Sequence, residues 1–101
     1  MNTLRIGIAG LGRLGRVHAE NIACKIPGAR LTAACTTRPE TLEYARQLGV
    51  TALYTDFNKM LAEAEIDAVA VVTTSSEHCW QIEAALDAGK HVFSEKPLGV
   101  D

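Results

Sequence analysis

Near its start the chain passes from an apolar run, Leu4-Arg5-Ile6-Gly7-Ile8-Ala9, straight into Gly10-Leu11-Gly12-Arg13-Leu14-Gly15, glycines spaced G-x-G-x-x-G. In an extended strand Ile6 and Ile8 point one way and Gly7 and Ala9 the other, so little bulk stands where a helix would lie close. The glycine spacing then predicts a tight turn into a helix, the place where a dinucleotide pyrophosphate rests on a parallel α/β sheet. Gly10 is expected to make the turn, Gly12 to let bare backbone approach the phosphates, and Gly15 to let helix and strand pack closely. Amides from Leu11 through Leu14 to Gly15 would face the anion, with the positive end of the helix dipole behind them. Arg13 either lies over the pyrophosphate or points into water.

Strand and helix patterns alternate along the rest of the chain. A first helix is predicted from Leu14 to Lys25, with Ala19, Ile22, Ala23 and Ile26 at helical spacing and Pro27-Gly28 as its stop. A strand over Arg30–Thr36, a helix over Pro39–Leu48 ended by Gly49, and a short strand at Ala52–Tyr54 follow. Asp56 is placed to cap a helix reaching about Ala64. The apolar Ala68–Val72 suits a strand buried on both faces. Ser76 or Ser75 is placed to cap a helix that runs to Ala88, and Gly89 ends it before the strand His91–Ser94. The predicted fold is α/β, a doubly wound parallel sheet of the Rossmann type, ordered 3-2-1-4-5 with the sixth strand missing.

The 101 residues allow one domain, and the formal charge of −2 offers no broad basic surface, which excludes nucleic acid and anionic membranes as expected partners. No apolar run is long enough for a membrane span and no signal-peptide pattern opens the chain, so a cytoplasmic location is expected. Cys24, Cys35 and Cys79 are far apart and read as reduced thiols. His18, His78 and His91 lack ligand spacing, so no metal is expected.

At the other end, Ala88-Gly89-Lys90-His91-Val92-Phe93-Ser94-Glu95-Lys96-Pro97 resembles the A-G-K-H-V-x-x-E-K-P segment of the glucose-fructose oxidoreductase/inositol dehydrogenase family, Gfo/Idh/MocA. The resemblance covers essentially all of residues 1–101, as the N-terminal cofactor domain. It implies a further α/β domain, absent from this chain, that binds substrate and supplies an acid-base pair. Lys96 is a compact ammonium expected at the carboxyl edge of the sheet, where ligands bind in open α/β folds. The resemblance implies that it is catalytic, reaching toward the nicotinamide ribose and the reacting hydroxyl. Glu95 would orient this region beside the nicotinamide, and the Lys96-Pro97 bond is allowed to be cis. Thr73-Thr74-Ser75-Ser76-Glu77-His78 stands where the family often has T-P-N-x-x-H, with Thr74 and Ser75 replacing Pro and Asn. Thr73 and Thr74 are candidates for contacts along the adenosine ribose and pyrophosphate. His78 is open to a structural or a cofactor role, and Trp80 is read as packing rather than stacking.

Cofactor choice rests on the tip of the second strand, where an Asp or Glu would bind the ribose 2′-hydroxyl of NAD. This chain has Thr36-Thr37-Arg38 instead. Two hydroxyls and a guanidinium favour a 2′-phosphate, so NADP(H) is expected to be preferred over NAD(H), with dual use allowed. The resulting expectation is the cofactor domain of an oxidoreductase that moves hydride between NAD(P) and a sugar, inositol or related polyol, inactive by itself and homo-oligomeric. A non-catalytic dinucleotide sensor and the cofactor domain of another Rossmann reductase are the alternatives.

Overall fold

In the computed structural model the described residues are 3–73 and 75–94, except the side chains of residues 13, 14, 75 and 76. Five strands form one sheet: β1 (Leu4–Ala9), β2 (Ala29–Cys35), β3 (Ala52–Tyr54), β4 (Ala68–Val71) and β5 (His91–Ser94). Their order is β3-β2-β1-β4-β5 and every neighbouring pair is parallel. Parallel neighbours require crossovers, and these are α1 (Arg13–Cys24), α2 (Leu42–Gln47), α3 (Phe57–Glu63) and α4 (Ser75–Asp87). The expected doubly wound sheet is thus the observed one.

The alternation read in β1 divides the core into two layers. Ile6 and Ile8 pack with Ala19 and Ile22 of α1 and Ala45 of α2, whereas Ala9, Val69 and Val71 pack with Phe57 and Met60 of α3 and Ala85 of α4. Gly7 belongs to the second layer. A Cβ there would lie 3.1 Å from Ile66 Cδ1 and 3.3 Å from Met60 Sδ, so the missing side chain is what lets α3 sit against the sheet. All four residues of β4 are buried, as its unbroken apolar run requires, while β5 is a largely exposed edge strand.

Most boundaries fall within a residue of expectation. The clearest difference is the segment Pro39–Leu48, expected as one helix, which opens as a 3-10 turn over Pro39–Thr41 before α2 begins at Leu42. The carbonyl of Arg38 causes this, because it accepts both the Thr41 amide at 2.9 Å and the Thr41 hydroxyl at 2.8 Å, which tightens the first turn. Asp56 caps α3 as expected, accepting from the Lys59 amide at 3.3 Å. Helix α4 already includes Ser75 and Ser76, so neither is the expected cap, and the preceding Thr74 lies outside the described residues.

The amino edge of the sheet is closed by a clamp between strands that neighbour each other in space but not in sequence. Asp67 accepts from the Arg5 amide at 2.9 Å and from its guanidinium at 3.2 and 3.1 Å, and the Asp67 amide returns a bond to the Arg5 carbonyl at 2.7 Å. Among the described residues no helix is long and apolar enough to cross a membrane.

Candidate functional site

Strand order reverses between β1 and β4, so the loops leaving these two strands turn to opposite faces and part at the carboxyl edge. A cleft of about 680 Å³ opens there, lined by the loop at Gly10–Gly12, the tip of β2 at Cys35–Arg38, the entry to α3, and Thr73 after β4. Its volume is in the range of small-molecule and cofactor sites.

The glycines divide their work as the motif requires. Gly10 has φ +101°, and a Cβ on it would run into the Val72 carbonyl, 2.8 Å from the carbon. A Cβ on Gly15 would run into the Gly10 carbonyl in the same way, again 2.8 Å from the carbon. Gly12 differs, because nothing lies within 4 Å of where its Cβ would be, and it lines the cleft. Gly12 is also the N-cap of α1, with no side chain bonding to the helix start and no acid in its first turn. The first bond of the helix runs from the Arg16 amide to the Gly12 carbonyl at 2.9 Å. The amides of Arg13, Leu14 and Gly15 therefore have no partner within the helix, and the open space beside Gly12 is where an anion could take them up. Leu11 contributes backbone only, since its side chain is 1% exposed in the core.

The tip of β2 is more constrained than its sequence implies. Thr36 is buried, and its hydroxyl accepts from the Arg38 amide at 3.2 Å while lying 3.1 Å from the Thr41 hydroxyl. The Thr36 hydroxyl is engaged in shaping the turn, which leaves Thr37 the more open of the two threonines expected to reach a ligand. Thr37 and Arg38 stand exposed on the rim of the cleft. Across from them Thr73 lines the cleft and donates to Gln81 Oε1 at 2.7 Å.

Several lining residues escaped the sequence reading. Arg16 lies one turn beyond Arg13, and that i, i+3 spacing was the available signal; its guanidinium sits 5.8 Å from the Tyr44 ring centroid. Asp56, Phe57, Glu77, Trp80 and Gln81 also line the cleft, brought there by the packing of α3 and α4. Cys35 lies at its floor, where burial and then the Asp56 carboxylate push the thiol up to about 11. His78 is buried but is not part of the lining, and among the described residues its Nδ1 has no hydrogen-bond partner. Thr74, Glu95, Lys96 and Pro97 lie outside the described residues, as do the side chains of Arg13 and Leu14, so the Lys96-Pro97 expectation falls there too. β5 ends at Ser94, paired with Val71 at the carboxyl edge.

Comparison with known proteins agrees with this geometry. Residues 4–101 match the model of the Gfo/Idh/MocA oxidoreductases, described as an oxidoreductase family with an NAD-binding Rossmann fold. The chain is 39% identical to myo-inositol 2-dehydrogenase of Thermotoga maritima over 97% of its length, and 40% identical to scyllo-inositol 2-dehydrogenase (NAD(+)) of Bacillus subtilis over 94%. It spans 29% and 28% of those two proteins, less than a third of either. The crystal structure of scyllo-inositol dehydrogenase from Lactobacillus casei with bound NAD(H) and scyllo-inositol matches with a TM-score of 0.92 and 54% identity, covering 99% of this chain and 30% of that one.

Proposed function

The chain belongs to the Gfo/Idh/MocA oxidoreductase family, and from that premise we propose that it holds the nicotinamide dinucleotide for a dehydrogenase acting on an inositol, a sugar or a related polyol. The observation that carries this reading is the start of α1, with no capping side chain and open space beside Gly12. The free amides there would take the pyrophosphate, with Arg16 adding charge from the next turn and Thr73 bordering the cleft from β4. When bound, the cofactor gives or accepts hydride. Lys96 is proposed as the cation that stabilises negative charge developing on the reacting oxygen, with Glu95 and Pro97 fixing its approach. Substrate contacts and the proton path are assigned to residues beyond this domain, in keeping with the greater length of the relatives. A cytoplasmic location remains part of the proposal.

The choice between NAD and NADP turns on Arg38. Of the relatives named above, the Bacillus subtilis enzyme is named for NAD(+) and the Lactobacillus casei crystal structure holds NAD(H), which gives no support to a preference for NADP(H). The narrower proposal is that Arg38, with no carboxylate beside it on the Thr36–Arg38 tip, tolerates a 2′-phosphate rather than selecting one. Titration of the full chain with NADH and NADPH tests both levels. We expect NADH to bind, and Arg38→Ala to weaken NADPH by up to about fivefold, the size of an exposed ion pair, while sparing NADH. Failure of both cofactors to bind overturns the function, and equal loss for both in Arg38→Ala overturns the role of Arg38. Self-association is proposed as well, because among the described residues β5 is an edge strand and Phe93 on it is 52% exposed. Light scattering that returns a monomer at high concentration removes that part.

A further inference from the structure

Trp80 is the only tryptophan in the sequence, and it does not pack away. It is 40% exposed and forms part of the cleft wall, although an indole is mostly apolar surface that water covers poorly. Two contacts hold it in place. Its ring meets Phe57 in an edge-on arrangement, centroids 5.5 Å apart and planes at 87°, and its Nε1–H donates to Glu77 Oε1 at 3.1 Å. Whichever ring supplies the edge, at least one face of the indole is left uncovered by Phe57.

The charges along the cleft are unevenly distributed. Arg16 lies by the glycine loop and Arg38 on the tip of β2, Asp56 follows β3 next to Cys35, and Glu77 lies beside Trp80. A phosphate is therefore favoured beside Arg16 and Arg38 and disfavoured beside Glu77, where a neutral group carrying a hydrogen-bond donor suits the carboxylate. In a Rossmann site the tip of the second strand takes the adenosine ribose. With the pyrophosphate at Gly12, the base on that ribose would extend into the rest of the cleft, which is lined by Asp56 and Phe57 at the start of α3 and by Glu77, Trp80 and Gln81 of α4.

We infer that Trp80 is the platform on which the adenine ring of the dinucleotide lies, an inference that rests on the reading of this cleft as a nicotinamide-dinucleotide site. Trp80 is thereby reassigned from packing to stacking. Adenine presents a flat face of matching size and an exocyclic amine that can donate to a carboxylate. The bond to Glu77 and the edge of Phe57 hold the indole before any ligand arrives, so little side-chain freedom is lost on binding.

Because this indole is the only one, its emission in the full chain reports on this position alone. AMP is expected to quench it saturably, and nicotinamide mononucleotide is not. Trp80→Ala is expected to weaken NADH at least about fivefold, followed through the emission of NADH, with Trp80→Phe restoring most of the affinity. If Trp80→Ala does not fold, the contrast between the two mononucleotides on the unaltered chain still decides. NADH binding with no response of Trp80 to AMP, or an equal response to both mononucleotides, overturns the platform and leaves the proposed function standing. Failure of NADH itself to bind overturns both.

Discussion

Alanine placed at each glycine of the motif in turn separates what the fold needs from what the cofactor needs. At Gly15 the new methyl meets the Gly10 carbonyl, a backbone group that cannot swing aside. Helix α1 must move off the loop, at a cost of about 1 to 3 kcal/mol typical of overpacking. Gly10→Ala carries a similar collision with the Val72 carbonyl and adds the strain of φ +101°, about 1 to 2 kcal/mol more. Gly12→Ala meets nothing within 4 Å and has φ −73°, ψ −165°, which alanine adopts freely. The lower entropy of its unfolded chain favours the variant by about 0.4 to 1 kcal/mol. Alanine is a poorer N-cap than glycine by a comparable amount, so the net change should stay within about 0.5 kcal/mol. The methyl nevertheless fills the space where phosphates would approach, and NADH affinity should fall at least about tenfold, or about 1.4 kcal/mol. Urea denaturation with an unchanged slope, alongside NADH titration, measures both quantities. Gly12→Ala that loses as much stability as Gly15→Ala, or that keeps its NADH affinity, would refute the reasoning.

Other perturbations address the framework around the site. Arg5 hydrogen-bonds to the Asp67 side chain and holds its carboxyl at about 2, below the ordinary 3.8, so the folded state resists protonation more than the unfolded state does. The clamp's contribution is complete above about pH 4 and lost as pH falls toward 2, and Asp67→Asn should flatten that part of a melting-temperature profile while lowering stability at neutral pH. Cys35, with its thiol near 11 and buried, should stay unmodified by a thiol reagent at pH 8 while exposed Cys24 and Cys79 react, and should become reactive only on denaturation. Met60→Ala removes a fully buried side chain packed against Gly7 and should cost about 2 to 5 kcal/mol in urea denaturation, unless the cavity collapses.

What could be read along the chain was whatever is encoded locally. The spacing of Gly10, Gly12 and Gly15 defines a backbone path over six residues, and Ile6 and Ile8 against Gly7 and Ala9 define two faces of one strand. Asp56, Gly49 and Gly89 mark helix ends through their own backbone or side chain, so element order and type were legible. Even the opening of the second helix departed from expectation for a local reason, the double claim of Thr41 on the Arg38 carbonyl.

The cleft is a different matter, because its walls come from segments that are distant in sequence and meet only when the sheet assembles. Even the short-range pairs, Thr36 with Thr41 and Thr73 with Gln81, take their burial from the segments packed around them. Arg5 finds Asp67 across 62 residues because β1 and β4 are neighbours. Trp80 reaches the cleft wall because packing of α4 beside α3 sets which way that part of the helix faces. Sequence alone thus determined the path of the glycine loop and the layered sheet, since backbone conformation and side-chain periodicity are local properties. Tertiary structure decided which polar groups remain open to a ligand and which are spent on the fold, because burial and hydrogen-bond partners exist only once distant segments have packed.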